Sequence, residues 1–187
     1  QVLPLGPTSF GDSPYQSFSV HAGSPYYIDL DLLISDGLLS VAETEAVDFG
    51  DDVGKIDYEK LYLGRFGLLE RAAERGWKRD RTQVMRFEAE NADWLPDYAL
   101  FMALKRHFGM RAWSEWDDVG ARLRDAAALK RYRTELAGDI RLFTYIQFLF
   151  FRQWDALRAY ARETGIGIIG AMPIYAALES ADVWAEP

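Results

Sequence analysis

Apolar residues recur at intervals of three and four through much of the chain, which is the spacing of residues on one face of a helix. Pro96 interrupts this pattern, because proline lacks the amide donor that a helix interior needs. The pattern predicts helices over 58–73, 84–94, 98–108 and 119–129. We therefore expect residues 33–137 to form a largely helical block.

The strongest helical pattern runs from about Asp139 to Thr164. Asp139 suits the start of a helix and Gly165 suits the residue just beyond its end. The apolar run 166–170 follows at once and fits a strand buried on both faces. Helix, tight glycine turn and buried strand are half of a βαβ unit, so this region predicts an α/β protein.

The N-terminal residues carry a different pattern. The short apolar run 2–5 is followed by turn formers over 6–14, which predicts a strand leading into a long loop. Aromatic and β-branched residues over 26–30 predict a second short strand. The chain opens inside the first apolar run, as if cut within a strand.

Composition excludes several classes of function. The 187 residues carry a net charge of −8, which argues against binding nucleic acid because phosphate contacts need a basic face. There is no cysteine, so disulfides and thiolate chemistry are excluded. His21 and His107 are isolated from each other and from any ligand pattern, so we expect no metal site and no cofactor.

The chain also lacks the patterns of membrane and secreted proteins. No segment reaches the roughly 18 to 20 apolar residues that span a bilayer. The N-terminus has neither the basic region nor the apolar region of a signal peptide. These observations predict no membrane contact and a cytoplasmic location.

Two loops are candidates for binding a ligand, because α/β folds place their sites where parallel strands end. Residues 11–16 follow the first predicted strand, and residues 171–175 follow the last. Tyrosine faces and short polar side chains suit a sugar ring, which offers CH patches and hydroxyls. The alternative is that glycine and proline simply form turns and the tyrosines fill the core.

The carboxylates do not single out a catalytic pair. Asp12, Asp29, Glu179 and Asp182 lie near predicted strand ends, but each also suits a turn, a helix start or the surface. Glycosidic chemistry needs two carboxyl groups at a fixed separation. We therefore predict no catalytic residue within this chain.

Several segments, in chain order, resemble the 4-alpha-glucanotransferases, the amylomaltase or disproportionating enzyme family (family 77 of the glycoside hydrolases). The N-terminal segment 1–19, QVLPLGPTSFGDSPYQSFS, is similar to the family's first strand and loop. The other similar segments are 23–30, 57–62, 94–105, 147–154 and 170–184.

The resemblance implies a (β/α)8 barrel that transfers α-1,4-glucan segments between maltooligosaccharides by a retaining mechanism. The chain would supply the first three strands of a partial barrel with a large helical insertion, and the catalytic carboxylates would lie on later strands. The expected domains are 1–32, with strands 1 and 2 and the sugar-site loop; 33–137, the helical insertion; and 138–187, a barrel helix and strand 3. Its expected partners are α-glucans and the remaining barrel strands of the parent protein.

The resemblance also implies substrate-binding residues. Tyr15 matches an active-site tyrosine of the family, with Asp12 and Ser13 in the loop that supports it. Phe10 and Tyr62 match aromatic positions of a second, outlying glucan site. We expect the Phe10 and Tyr62 rings to lie near each other on the surface.

Ala171 departs from the family pattern. The family carries Gly-Asp-x-Pro-Ile followed by an aromatic residue, with the aspartate reaching the donor sugar, and this chain has Gly170 followed by Ala171. A methyl group there replaces an acceptor of sugar hydroxyls. An alternative function is therefore a non-catalytic α-glucan-binding protein or regulatory relic, and a third is a helical interaction module.

Overall fold

A computed structural model describes residues 1–52, 54–171 and 174–186, apart from the side chain of Phe10. Within these residues the chain forms nine α-helices joined by loops and short 3-10 turns. They are α1 (Leu30–Ser35), α2 (Val41–Glu45), α3 (Tyr58–Arg79), α4 (Arg81–Glu90), α5 (Leu95–His107), α6 (Val119–Arg122), α7 (Ala126–Glu135), α8 (Ala137–Glu163) and α9 (Ala181–Ala185).

Helix α8 is the centre of the core and packs mainly against α5 and α3. Its fully buried residues include Tyr145, Ile146 and Leu149. Burying an apolar side chain of this size stabilises the fold by about 1.5–3 kcal/mol. The buried apolar residues form one cluster that extends from Ala22 to Trp184, so the helices and the N-terminal loops share a single core.

Side chains at the helix starts fix where several helices begin. The Asp29 carboxylate accepts from the amide of Leu32 at 3.0 Å and caps α1. Asp57 caps α3 in the same way through the amide of Lys60. These bonds satisfy amides that have no partner within the helix.

The helical predictions are largely confirmed. The series over 58–73, 98–108 and 139–164 correspond to α3, α5 and α8, and Pro96 stands in the first turn of α5. The single helix predicted over 119–129 is wrong, because the chain breaks between α6 and α7. Arg124 has a φ of +56°, which no α-helix accommodates.

The predicted strands are not present in the described part of the chain, where Thr8 and Ser17 form an isolated bridge. Residues 26–30 were predicted as a strand and instead form a 3-10 turn, Pro25–Tyr27, followed by the start of α1. Residues 2–5 and 166–170 meet at one bond of 2.9 Å, in which the Val2 amide donates to the Ile169 carbonyl. A strand requires a continuous ladder to a neighbour, and one bond does not provide it.

Among the described residues, every helix falls short of the length and apolar character needed to cross a membrane.

Candidate functional site

An aromatic cavity of about 350 Å³ lies between the N-terminal loop, α3 and α5. We call it the aromatic groove and define it by Asp12, Tyr26, Tyr58 and Tyr62. The loop supplies Asp12, the turn before α1 supplies Tyr26, and one face of α3 supplies Tyr58 and Tyr62, which are four residues apart. Its remaining lining is Pro7, Thr8, Ser9, Phe18, Ser24, Pro25, Glu59, Phe66, Tyr98, Met102 and Met110.

The tyrosines in the groove stand close together. The ring centroids of Tyr26 and Tyr58 are 6.4 Å apart, and those of Tyr62 and Phe66 are 4.7 Å apart. Burial raises the pKa of Tyr26 to about 12, and the nearby Asp12 carboxylate adds to the effect. Burial also raises the pKa of Tyr62. Both hydroxyls therefore keep their protons at neutral pH and can donate to a ligand.

The loop that carries Asp12 is folded back on itself. The Thr8 hydroxyl donates to the Asp12 carboxylate at 3.2 Å. The Ser9 amide donates to the Gln16 carbonyl at 2.9 Å, closing the loop. Asp12 itself has a φ of +51°, a conformation that aspartate and asparagine tolerate better than most residues. This conformation allows the loop to turn Asp12 toward the groove.

The structure brings together only part of the predicted site. Asp12 and Tyr62 line the same groove. Ser13 and Tyr15 are not part of the groove lining: the Ser13 hydroxyl accepts from the Tyr15 amide at 3.3 Å, and Tyr15 is 50% exposed. The expected contact of Phe10 with Tyr62 involves the Phe10 ring, which is outside the described part of the chain.

Ala171 is half-buried and is not part of the groove lining. The two residues that follow it in the family pattern, Met172 and Pro173, lie outside the described residues. Tyr175, at the end of the pattern, is 68% exposed. The expected place of position 171 at the donor sugar therefore stays a prediction.

The sequence interpretation missed Tyr26 and Tyr58 as groove residues. The helical pattern over 58–73 includes Tyr58 as an apolar position, and the strand pattern over 26–30 includes Tyr26. The available signal was the spacing of Tyr58 and Tyr62, because residues four apart lie on the same helix face. Two tyrosines at the solvent-facing start of a helix offer a polar aromatic surface rather than core.

The candidate carboxylates near the predicted strand ends have structural partners. Asp29 caps α1, and the Glu179 carboxylate accepts from the amide of Trp113 at 2.9 Å. The Asp182 carboxylate accepts from the Val20 amide at 2.9 Å and from the Ser19 hydroxyl at 3.2 Å. None of these arrangements pairs two carboxylates in the manner of a glycosidase.

Comparison with known proteins places the chain in a family. The family model described as 4-alpha-glucanotransferase, glycoside hydrolase family 77, matches residues 1–187. The 4-alpha-glucanotransferase of Streptococcus pneumoniae serotype 4 is 47% identical over the whole chain, which covers 37% of that protein. The enzyme of Thermus thermophilus is 45% identical, again over the whole chain and 37% of the relative.

A solved structure agrees with the sequence relatives. The amylomaltase of Streptococcus agalactiae, in complex with acarbose, is 43% identical and superposes with a TM-score of 0.95 over 99% of this chain and 38% of that one. The chain thus spans little more than a third of the length of the relatives it matches. With the whole chain matched by the family model, it belongs to the 4-alpha-glucanotransferase family, glycoside hydrolase family 77.

Proposed function

We propose that this chain supplies the N-terminal part of a 4-alpha-glucanotransferase that transfers α-1,4-glucan segments between maltooligosaccharides. The observation that carries the proposal is the aromatic groove, found in a chain of this family. In a retaining transfer one carboxylate displaces the leaving sugar while a second carboxyl group protonates the leaving oxygen. An acceptor hydroxyl then takes the glucan from the enzyme and gives its proton to the second group. The carboxylates for these steps belong to the part of the enzyme that this chain does not cover.

The chemistry of the groove suits a glucan. Tyrosine rings offer flat apolar faces to the CH surface of glucose, and their protonated hydroxyls can donate to sugar oxygens. The Asp12 carboxylate adds a strong acceptor at the rim. A long neutral polyol such as maltohexaose satisfies all three features, whereas an anionic ligand would be repelled by the carboxylates of Asp12 and Glu59 in the lining.

We assign binding of the donor sugar to Tyr15 and Ser13, the part of the loop that does not line the groove. Tyr15 is available for stacking on a sugar because half of its surface is exposed. Ser13 fixes the backbone of Tyr15, and Ala171 occupies the position where the family carries an aspartate. Phe10 belongs with Tyr62 to the outlying glucan site, which we equate with the aromatic groove.

An exposed apolar surface indicates where the rest of the enzyme packs. Leu3 is 56% exposed and Ile169 is 68% exposed. The hydrogen bond from the Val2 amide to the Ile169 carbonyl brings the two segments together. Contiguous exposed apolar residues of this kind mark an interface. We assign this surface to the remaining barrel strands. In the longer enzyme, 2–5 and 166–170, which share one bond in this chain, would pair as neighbouring strands of a (β/α)8 barrel, with the helical insertion at 33–137 to one side.

A second candidate function is glucan binding without catalysis. Ala171 favours it, since a methyl group accepts no hydrogen bond from the donor sugar. This candidate uses the same aromatic groove. It differs in one expectation, that a longer protein containing the chain binds glucan but does not transfer it.

A titration with maltohexaose tests the proposal. We expect the chain to bind maltohexaose, as measured by isothermal titration calorimetry. Tyr62→Ala should weaken this binding at least about fivefold because it removes a stacking face. Tyr160→Ala is the matched control, since Tyr160 is 64% exposed on α8 and is not part of the groove. Equal loss in both variants, or no binding by the parent chain, would refute the proposal.

A further inference from the structure

The seven residues 23–29, which we call the arch, form one wall of the aromatic groove. Ser24, Pro25 and Tyr26 of the arch line the groove, and Tyr26 is its middle residue. Inside the arch the Tyr27 amide donates to the Ser24 carbonyl at 3.1 Å. One backbone bond from outside holds the arch, in which the Ser24 amide donates to the Leu5 carbonyl at 2.8 Å, and side chains supply the others.

Two glutamines of α8 bind the two ends of the arch through both atoms of their amides. The Gly23 amide donates to Gln147 Oε1 at 2.8 Å, and Gln147 Nε2 donates to the Gly23 carbonyl at 2.9 Å. The Asp29 amide donates to Gln153 Oε1 at 2.7 Å, and Gln153 Nε2 donates to the Asp29 carbonyl at 3.1 Å. Each glutamine thus replaces the paired bonds that a strand would supply.

The middle of the arch has an anchor of its own. The guanidinium of Arg65 on α3 donates to the Tyr26 carbonyl at 2.8 Å. Side chains therefore fix the arch at three points spaced three residues apart, and Tyr26 stands at the central one. Its backbone is held by α3, and its ring lies 6.4 Å from the ring of Tyr58 on the same helix.

Gln147 is the anchor with the greatest consequence. Its side chain is fully buried, and Nε2 also lies 3.4 Å from the Tyr98 hydroxyl at the groove floor. Gly23 is held against the same helix so closely that a Cβ there would lie 2.0 Å from the Phe150 ring. Water cannot replace bonds in so tight a contact, whereas Gln153 is partly exposed and can exchange its bonds with water.

We propose that Gln147 is a positioning residue that holds the arch and fixes Tyr26 in the aromatic groove, and thereby sets the affinity of the groove for α-1,4-glucan. The inference rests on the proposed function for the identity of the ligand. It adds a residue that does not touch the ligand but determines the geometry of one that does.

The test compares Gln147→Met with Leu149→Ala in the full chain. Methionine keeps the length of the side chain and removes both amide bonds, while Leu149→Ala opens a cavity in the same buried helix and removes no hydrogen bond to the arch. Gln147→Met is expected to weaken maltohexaose binding at least about fivefold and to speed hydrogen exchange at the amides of Tyr27 and Ile28. Leu149→Ala, compared at the same distance below its melting temperature, is expected to change neither.

The outcomes separate this inference from the proposed function. Unchanged affinity and exchange in Gln147→Met, or equal effects in Leu149→Ala, would overturn the positioning role. If the parent chain fails to bind maltohexaose, the proposed function fails, and the exchange rates alone decide whether Gln147 holds the arch. If Gln147→Met does not fold, Gln153→Met takes its place. Its expected loss of maltohexaose affinity is smaller, about twofold to threefold. If neither affinity nor exchange changes in Gln153→Met, the glutamine bonds do not position the arch.

Discussion

The hydroxyl of Tyr145 donates a hydrogen bond of 2.6 Å to the carboxylate of Asp80, 65 residues earlier in the chain. Asp80 is 7% exposed and stands between α3 and α4, and Tyr145 lies in the middle of α8. Arg79 donates to both oxygens of the same carboxylate. Burial acts to raise the pKa of Asp80, but the bonds from Arg79 and Tyr145 outweigh it and lower that pKa.

Replacing Tyr145 by phenylalanine tests this contact. Tyr145→Phe keeps the ring and removes the donor, leaving the buried carboxylate with Arg79 and with the guanidinium of Arg152 at 4.0 Å. Hydrogen bonds to charged groups contribute about 1.5–3 kcal/mol, so we expect the free energy of unfolding in urea to fall by about 1.5 kcal/mol. Tyr160→Phe is the matched control on the same helix, because Tyr160 is 64% exposed. Equal stability of Tyr145→Phe and the parent would contradict the account.

Two glycines of α3 are predicted to respond to alanine in opposite directions. Alanine is favoured over glycine in a helix by about 1 kcal/mol. A Cβ at Gly76 would lie 1.8 Å from the Tyr145 hydroxyl, so Gly76→Ala must displace the ring that binds Asp80. A Cβ at Gly67 meets nothing within 4 Å.

We therefore expect Gly67→Ala to raise the melting temperature and Gly76→Ala to lower it. Thermal unfolding followed by circular dichroism measures both. An increase in both variants would show that the space beside Tyr145 is not constrained as described.

Glu43 is predicted to make stability depend on acid pH. Its bidentate bonds with Arg75, and further bonds from Ser40, lower its pKa from 4.5 to about 2. A carboxyl group whose pKa is lowered by folding stabilises the protein above its unfolded pKa and loses this contribution as pH falls through its folded pKa. The parent chain should therefore lose more stability than Glu43→Gln between about pH 5 and about pH 2.

Urea unfolding at several pH values in that window measures the effect. Glu45→Gln, in the same short helix, serves as the control for the loss of one negative charge. Parallel pH profiles for the parent and Glu43→Gln would show that the bonds to Arg75 do not contribute in solution.

The helices were predictable from sequence because their signal is local. The stripes of α3 and α8 repeat within a single segment, and burial of that face is enough to specify the helix. The arch was not predictable in this way. Residues 26–30 have strand composition, but their conformation depends on Arg65 and on two glutamines 124 residues away.

The same reason explains how much of the candidate site the sequence revealed. Asp12 and Tyr62 were identified through a family resemblance and do line one groove. Tyr26 was missed because nothing in its own segment shows that α3 and α8 hold it there. Local pattern specifies elements, while long-range side-chain bonds specify which of them meet.

Ala171 is predicted to limit transfer in an enzyme that contains this chain. A suitable enzyme is a chimera in which this chain replaces the matching part of the Streptococcus agalactiae amylomaltase. An aspartate at 171 would accept bonds from sugar hydroxyls that strengthen in the transition state. We expect Ala171→Asp to raise kcat/KM on maltotriose at least about tenfold, which corresponds to about 1.4 kcal/mol. Equal values would mean that another residue supplies the acceptor.

The central claim, that this chain is the N-terminal part of a 4-alpha-glucanotransferase, is tested most directly by glucose release from maltotriose. This chain alone should release none, because it carries no pair of catalytic carboxylates among its described residues, and the amylomaltase remainder alone should release none either. The chimera should release glucose and form longer maltodextrins. Activity of this chain by itself, or a folded chimera that stays inactive with either alanine or aspartate at position 171, would contradict the account.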